Sequence, residues 1–290
     1  MNRERPRLLI TGAASGIGKA CALHLYPKYR LVLADVNEHA LDKTALEIHE
    51  QGGSVEVLLT DFSSAAEITN LVELVAETGL LDGLIHAAGV GPNQASGDDI
   101  IRINLIGTAH LLNGLESLFA SNASLVLISS QASYFAQGWL SPRALKLLEN
   151  PLTEDFSKLI TAECVGRDLA FGEDAYGLAK MGVRVLAEQA AIRLGSQNIR
   201  CNTISPGIID TPMARHEAKH LEGMQAMTDI TSLGRWGKPE EIAHVAEFLL
   251  SGSASFVTSA DFLVDGGSTK PMLAWVTSQA EGVGKESSKA

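Results

Sequence analysis

One stretch near the N-terminus decides the fold: residues 7–18 read RLLITGAASGIG. Its first five residues are mostly apolar and predict a buried β-strand, and the glycines that follow lead into a segment of helical period. A strand, a glycine-rich turn and a helix start place free backbone N–H groups and the positive helix end where a pyrophosphate can bind. The turn therefore predicts a dinucleotide site. Its spacing, G-x-x-x-G-x-G, differs from the general G-x-G-x-x-G motif, and any strand-to-helix turn can carry glycines.

The second predicted strand ends in an acid, Asp35, 17 positions after Gly18. In dinucleotide-binding folds a carboxylate at about this distance accepts hydrogen bonds from the adenosine ribose. Such a carboxylate repels the extra phosphate of NADP, and the neighbouring Ser15, Val36 and Asn37 offer no cation to offset it. The position favours NAD as the cofactor. The simpler interpretation is an aspartate that ends a strand as a turn residue.

Short apolar runs alternate with helix-length segments along the whole chain, which is typical of βαβ units on a parallel sheet. The predicted fold class is therefore α/β: a single Rossmann-type domain over residues 1–269, with a seven-stranded, doubly wound parallel sheet and helices on both faces. Residues 270–290 have the composition of a C-terminal tail. The seven predicted strands lie at 7–11, 30–35, 54–60, 81–87, 123–129, 198–204 and 261–264.

Residues 131–172 interrupt this alternation with an unusually long connection. A helix is predicted after Thr153, with acids in its first turn, and we interpret the segment as a helical insertion that covers the substrate end of the site as a lid. A subunit contact is the alternative. The apolar stripe of the predicted helix consists of Phe156, Leu159, Ile160 and Cys164.

The composition excludes several classes of protein. The net charge of −11 and the absence of a basic run argue against a nucleic-acid surface and favour a small-molecule partner. The arginines near the N-terminus imitate a signal peptide, but the apolar run after them is too short for one or for a membrane span, so we expect a cytoplasmic protein. The three cysteines, Cys21, Cys164 and Cys201, suit neither a zinc site nor a disulfide framework, and no metal is expected.

A phenol and an ammonium group lie four residues apart in a predicted helix, at Tyr176 and Lys180. Residues at this spacing share one helix face, and a nearby cation favours the phenolate, so we expect Lys180 to lower the pKa of Tyr176. The pair by itself is also common on helix surfaces. Ser129 and Ser130 close a predicted strand at the carboxyl edge, where open α/β sheets bind ligands, and Asn104 lies in the helix before that strand, where it could anchor a water.

Taken together, these residues resemble the short-chain dehydrogenase/reductase family over residues 7–267. The resemblance rests on an ordered set of motifs and not on one of them. The set is Thr11-Gly12-x-x-x-Gly16-x-Gly18, Asp61, Ala88-Gly89, Asn104, Ser130, Tyr176-x-x-x-Lys180 and Pro206-Gly207-x-x-x-Thr211.

The resemblance implies a role for each matching residue. Tyr176 would donate or accept the proton, Lys180 would lower its pKa and hold the nicotinamide ribose, Ser130 would bind the reacting oxygen, and Asn104 would complete a proton relay through water. Asp61 with Phe62 would cap the adenine, and Ile209 with Thr211 would hold the carboxamide and pyrophosphate side. The cofactor-binding residues implied are Gly12, Ser15, Gly16, Ile17, Gly18, Asp35, Asp61, Phe62, Ala88, Gly89, Tyr176, Lys180, Pro206, Gly207, Ile209 and Thr211.

Two features depart from the family pattern. The family usually has Asn-Asn-Ala-Gly after the fourth strand, whereas this chain has His86-Ala87-Ala88-Gly89, with His86 at the first of those positions. Ser130 and Tyr176 are separated by 46 positions, where the family typically needs about a dozen. An insertion here, and the sequence of residues 88–92, are similar to bacterial 3α-hydroxysteroid dehydrogenase/carbonyl reductases, and the insertion leaves Ser129 open as the alternative to Ser130.

The sequence thus predicts an NAD(H)-dependent oxidoreductase that interconverts a secondary alcohol and a ketone, including bulky cyclic substrates such as hydroxysteroids. Two alternatives are a non-catalytic dinucleotide sensor and an NAD-dependent dehydratase or epimerase. The complete set of Asn104, Ser130, Tyr176 and Lys180 disfavours a sensor, and the short segment after residue 235 leaves little room for the substrate domain of an epimerase. We also expect a homo-oligomer, a dimer or a homotetramer, as in the family.

Overall fold

A seven-stranded, all-parallel sheet forms the middle layer of the computed structural model, in the order β3-β2-β1-β4-β5-β6-β7. The structure describes residues 5–170, 172–218, 228–229 and 231–274. The predicted α/β fold with a doubly wound parallel sheet is confirmed. The strands are β1 (Arg7–Thr11), β2 (Arg30–Asp35), β3 (Val55–Leu59), β4 (Leu81–His86), β5 (Phe119–Ile128), β6 (Arg200–Pro206) and β7 (Asp261–Val264).

Helices cover both faces of this sheet, and none in the described part of the chain is long and apolar enough to cross a membrane. A π-helical turn, Arg102–Ile106, joins α4 to α5. The α-helices of the described residues include α1 (Gly16–Leu25), α2 (Glu38–Glu50), α3 (Ala65–Glu77), α4 (Gly97–Ile101), α5 (Gly107–Leu115), α6 (Ala132–Gln137), α7 (Pro142–Leu148), α8 (Phe156–Glu163), α9 (Gly172–Leu194), α10 (Pro212–Glu217) and α11 (Pro239–Leu250).

The strand side chains alternate between two apolar cores. In β1, Leu9 packs into the core beneath α3, α5 and α9, whereas Leu8 and Ile10 pack into the core beneath α1, α2 and α11. This alternation follows from the two-residue period of a strand and makes a sheet that is buried on both sides. All three cysteines are free and buried, as expected of small apolar side chains.

The fifth strand begins earlier than predicted, at Phe119 instead of residue 123. Leu81 pairs with Phe119, but the next pair along β4 is Gly83 with Ser124, so extra residues bulge out of β5. Asn122 lies within this bulge with φ +69°, a left-handed conformation that asparagine tolerates. A bulge has no period-two signature, which is why the sequence pattern detects only the regular half of the strand.

Residues 131–172 contain three helices, α6, α7 and α8. The helix predicted after Thr153 begins later, at Phe156, because residues 150–155 form turns and Asp155 has φ +63°. The acids expected in the first helical turn therefore precede the helix. Within the segment, the side chains of Leu148, Phe156 and Ile160 are buried in the core beneath α9. Residue 171 lies outside the described residues.

The predicted C-terminal tail is described only in part. Residues 269–274 are helical, and Met272 in this stretch is buried. The rest of the predicted tail, residues 275–290, lies outside the described residues.

Candidate active site

A cavity of about 1000 Å³ opens at the carboxyl edge of the sheet. It extends across the point where the strand order reverses, between β1 and β4, which is where ligands bind in open α/β folds. Every predicted cofactor-binding residue lines this cavity, and so do Ser130, Tyr176 and Lys180. Asn104 is the predicted site residue that does not line it.

The glycine-rich turn forms the floor of the cavity between β1 and α1. Gly12 has φ +67°, and a Cβ placed on it would lie 2.7 Å from the backbone of Ala87, so no other residue fits there. The Ser15 side chain makes no capping hydrogen bond to α1, which begins at Gly16. The first-turn N–H groups of α1 are therefore available to a ligand, and the turn fits a pyrophosphate.

Asp35 is the last residue of β2 and lines the same cavity, next to the glycine-rich turn. Its Oδ2 accepts a hydrogen bond from the Ala14 N–H at 3.0 Å, and its Oδ1 accepts from the Asn37 N–H at 3.0 Å. Two backbone donors thus fix the carboxylate at the cavity wall. Among the described residues that line the cavity, the only cations are Arg167 and Lys180, and neither belongs to the loops around Asp35.

Lys180 and Tyr176 lie one turn apart on α9. The Lys180 Nζ lies 5.7 Å from the centre of the Tyr176 ring and donates a hydrogen bond to the Ile128 carbonyl at 3.0 Å. Burial lowers the pKa of Lys180 to about 8. Burial also raises the pKa of Tyr176 above its ordinary value, with hydrogen bonding to Ser130 acting in the opposite direction and the charge of Glu217 raising it further. The lowering of the Tyr176 pKa that the sequence led us to expect from Lys180 is therefore not found.

The two serines after β5 have different surroundings. The Ser129 hydroxyl donates to the backbone carbonyl of Lys180 at 2.8 Å and is buried against α9. The Ser130 hydroxyl accepts from the Ala132 N–H at 3.1 Å and interacts with the phenol of Tyr176. Of the two hydroxyls that the sequence leaves open, Ser130 is the one beside Tyr176.

Asn104 lies in the π-helical turn, behind the cavity wall. Its side-chain amide accepts from the Val90 N–H at 2.8 Å and donates to the Val90 carbonyl at 2.9 Å. Its backbone carbonyl accepts from the Thr108 hydroxyl at 2.7 Å. In this structure Asn104 holds the loop that follows β4 in place, since both ends of its amide are engaged by Val90.

His86 occupies the position where the family usually has asparagine. Its Nδ1 and Nε2 lie 2.8 Å from the hydroxyls of Thr11 and Thr108, respectively. Thr108 donates its hydroxyl proton to Asn104, and Thr11 accepts from the Ala88 N–H, so the network fits a neutral imidazole with its proton on Nε2. Burial, and secondarily the charge of Lys180, lower the pKa of His86 to about 3. His86 therefore ties β4 to β1 and α5.

The end of the cavity away from the glycine-rich turn, here called the substrate end, is lined by residues that the sequence analysis did not identify. Phe135 and Trp139 line it from the insertion, and the Arg167 guanidinium stacks over the Trp139 ring at 5.0 Å and forms a 3.5 Å ion pair with Asp174. Glu217 lines it from α10 and is buried. The insertion starts next to Ser130, which indicates where its residues must lie but not which ones face inward. No sequence signal marks Glu217, because residues 211–235 have no clean period.

Known proteins resemble the chain over most of its length. Residues 7–142 match the family model described as short chain dehydrogenase, and residues 140–269 match the model described as enoyl-(acyl carrier protein) reductase. The cyclohexanol dehydrogenase of Acinetobacter sp. (strain SE19) is 30% identical over 263 residues, which cover 90% of this chain and 94% of the relative. The 7alpha-hydroxysteroid dehydrogenase of Bacteroides fragilis is 27% identical, covering 93% and 96% of the two chains.

A solved structure shows the same likeness in three dimensions. The crystal structure of a levodione reductase superposes with a TM-score of 0.74 at 25% identity, covering 92% of this chain and 99% of that one. The levodione reductase of Leifsonia aquatica is 29% identical to this chain in sequence, over 90% of this chain and 92% of the relative. The fold, the order of the motifs and the share of the chain that is matched therefore all point to the same family.

Proposed function

Because the chain belongs to the short-chain dehydrogenase/reductase family of oxidoreductases, whose members bind NAD or NADP, we propose that it interconverts a secondary alcohol and a ketone with NAD(H). One observation carries the proposal: Tyr176, Ser130 and Lys180 line the same cavity as the glycine-rich turn and Asp35. A group that can transfer a proton and a turn that can bind a dinucleotide therefore line one cavity. A hydride transfer coupled to a proton transfer requires this arrangement.

Side chains of this protein would transfer the proton and bind the oxygen of the substrate. A bound nicotinamide supplies or accepts the hydride. Tyr176 would give its phenol proton to the carbonyl oxygen in reduction and would take the alcohol proton in oxidation. The Ser130 hydroxyl would donate a hydrogen bond to the same oxygen and hold it beside the phenol. Lys180, buried beneath Tyr176, would hold the ribose and contribute positive charge near the developing phenolate.

The choice of NAD over NADP rests on Asp35. Its carboxylate is fixed by two backbone donors at the wall where an adenosine ribose would lie, and no cation of the described cavity lining is next to it. A carboxylate there accepts from the ribose hydroxyls of NAD and repels the phosphate of NADP. NAD is therefore the proposed cofactor.

The proposed substrates are cyclic or otherwise bulky secondary alcohols and the corresponding ketones. Two relatives of this chain are named for oxidising cyclic alcohols, cyclohexanol dehydrogenase and cyclopentanol dehydrogenase, and a third is a hydroxysteroid dehydrogenase. The aromatic side chains of Phe135 and Trp139 give the substrate end of the cavity an apolar wall that suits a ring.

The proposal is tested by incubating the purified protein with cyclohexanol, cyclopentanol and a hydroxysteroid, each with NAD and separately with NADP, and following reduced nicotinamide by absorbance. We expect turnover of at least one cyclic alcohol with NAD, and a kcat/KM with NADP that is lower by at least about tenfold, equivalent to roughly 1.4 kcal/mol. Dinucleotide binding without turnover of any alcohol or ketone would indicate the non-catalytic sensor instead.

A further inference from the structure

A buried carboxylate, Glu217, faces the substrate end of the cavity and forms no ion pair with a cation of the described residues. Glu217, the last residue of α10, has 6% of its surface exposed and lines the same cavity as Tyr176. None of the ion pairs among the described residues includes it. Burial removes water from a carboxylate, so Glu217 favours groups that donate hydrogen bonds to it.

Among the described residues, the donors to this carboxylate are neutral. The Asn93 N–H donates to Oε1 at 3.2 Å, and the Asn93 side-chain amide donates to Oε2. Gly91 lets the carboxylate approach the loop after β4, because a Cβ at that position would lie 2.7 Å from Oε1. An ionised carboxylate accepts about four hydrogen bonds, so Glu217 retains the capacity to bind a further donor.

The charge of Glu217 reaches the reacting centre. Glu217 and Tyr176 line the same cavity, and the charge of the carboxylate raises the pKa of the phenol. A substrate whose oxygen contacts Tyr176 therefore places its other groups in the same field. The rest of the cavity lining at this end adds carboxylates from Glu173 and Asp174, of which Asp174 is already paired with Arg167.

We propose that Glu217 is a specificity-determining residue, which selects alcohols and ketones that carry a second hydrogen-bond donor, a hydroxyl or an ammonium group, away from the reacting carbon. The same charge disfavours substrates that carry a carboxylate or phosphate there. This inference rests on the proposed alcohol dehydrogenase function and narrows its substrate class.

A substrate that carries an anionic group such as a phosphate is the contrasting case. A phosphate would meet Glu217 and Glu173 here, with Arg167 already engaged by Asp174. The charge distribution at this end of the cavity thus favours a neutral or cationic small molecule over an anionic one.

The test compares four alcohols built on one ring: cyclohexanol, trans-1,4-cyclohexanediol, trans-4-aminocyclohexanol and trans-4-hydroxycyclohexanecarboxylate. With NAD saturating, we expect kcat/KM to be highest for the diol or the amino alcohol and lowest for the carboxylate. A spread of at least about tenfold between the amino alcohol and the carboxylate is expected from one partly desolvated charge interaction.

Two glutamine variants separate a direct contact from a general charge effect. Glu217→Gln keeps a side chain that can hydrogen-bond to Asn93 and removes the charge, so the ratio of kcat/KM for amino alcohol over carboxylate should fall by at least about tenfold. Glu50→Gln removes the same charge from the exposed end of α2 and should leave that ratio unchanged.

The experiment distinguishes failure of the proposed function from failure of the inference about Glu217. If the wild-type protein turns over none of the four alcohols, nor cyclopentanol or a hydroxysteroid, the proposed function fails. If it turns over cyclopentanol or the hydroxysteroid but none of the four, the inference about Glu217 fails and the proposed function stands. If it oxidises cyclohexanol as efficiently as the amino alcohol and the carboxylate, the inference about Glu217 fails and the proposed function stands. A ratio that stays the same in Glu217→Gln as in the wild type also overturns the inference. If Glu217→Gln does not fold, the wild-type order of the four substrates decides alone.

Discussion

At the scale of single residues, Tyr176 is the residue on which the proposed reaction depends most. Replacing it by phenylalanine removes the transferable proton and keeps the ring, so we expect kcat to fall by at least about a hundredfold with little change in NADH affinity. Steady-state kinetics and a fluorescence titration with NADH measure the two quantities. An unchanged kcat with a raised KM would make Tyr176 a substrate-binding residue and not an acid or base.

We propose that Asp35 determines whether the protein prefers NAD or NADP. The double substitution Asp35→Ser and Val36→Arg removes the carboxylate and adds a cation at an exposed neighbour that also lines the cavity. We expect the ratio of kcat/KM for NADP over NAD to rise by at least about tenfold, because a repulsion is replaced by an attraction. A wild-type enzyme that already prefers NADPH would show that Asp35 does not face the ribose.

His86 makes stability depend on pH in a defined direction. The unfolded chain binds a proton below the ordinary pKa of 6.5, while the folded chain resists protonation until about 3, so this contribution is complete above 6.5 and is lost as the pH falls towards 3. His86→Asn should lower the free energy of unfolding by about 1–3 kcal/mol above that window, since one hydroxyl loses its partner.

Urea unfolding of the wild type and of His86→Asn between about pH 8 and pH 4 tests this prediction. Both proteins share the same carboxylates, so the contribution of these groups cancels in the difference between the two free energies of unfolding. The difference should shrink as the pH falls. A difference that stays constant over the range would mean that His86 titrates normally in the folded protein.

At the scale of elements, the insertion of residues 131–172 contributes side chains to one end of the cavity. We propose that it covers the site and sets the preference for bulky substrates, because Phe135, Trp139 and Arg167 line the cavity from it. That the segment is a lid over the site stays a prediction, and so does the alternative that it contacts another subunit. Its buried apolar side chains belong to the core, so a long deletion would remove core packing, and point substitutions are the better test.

Trp139→Ala removes the largest side chain of this wall. We expect KM for a hydroxysteroid to rise by at least about fivefold, with an unchanged Kd for NADH, because apolar contact of this kind contributes roughly 1–3 kcal/mol. Leu145→Ala is the matched control, since Leu145 packs against the core from the same segment and does not line the cavity. A normal KM with a change in subunit number by sedimentation would identify the segment as an assembly element.

The sequence predicted the regular elements well and the irregular ones poorly. The glycine-rich turn and the period-two runs located all seven strands, because burial on both faces leaves a continuous apolar signal. The helix predicted after Thr153 began at Phe156, since Asp155 adopts a left-handed conformation that no periodicity reveals. The bulge in β5 was missed for the same reason.

At the scale of the whole molecule, the topology brings together residues that are distant in sequence. Parallel strands end at one edge, so the residues after β1, β2, β4, β5 and β6 meet there, and motif order alone sufficed to gather most of the candidate site. The partners of His86 come from β1 and α5, and Glu217 meets the loop after β4 from α10. Contacts of this kind need the fold itself. The expected dimer or homotetramer stays a prediction.

The most direct test of the central claim follows the transferred atom. Cyclohexanol, or the best cyclic alcohol found, is deuterated at its carbinol carbon and oxidised by the wild-type protein with NAD, and the reduced dinucleotide is analysed by mass spectrometry and proton NMR. We expect one deuterium on the nicotinamide ring for each ketone formed, and a rate of this transfer that is lower by at least about a hundredfold with Tyr176→Phe. Ketone formation with the deuterium released to water, or no reduction of NAD by any cyclic alcohol, would contradict the central claim.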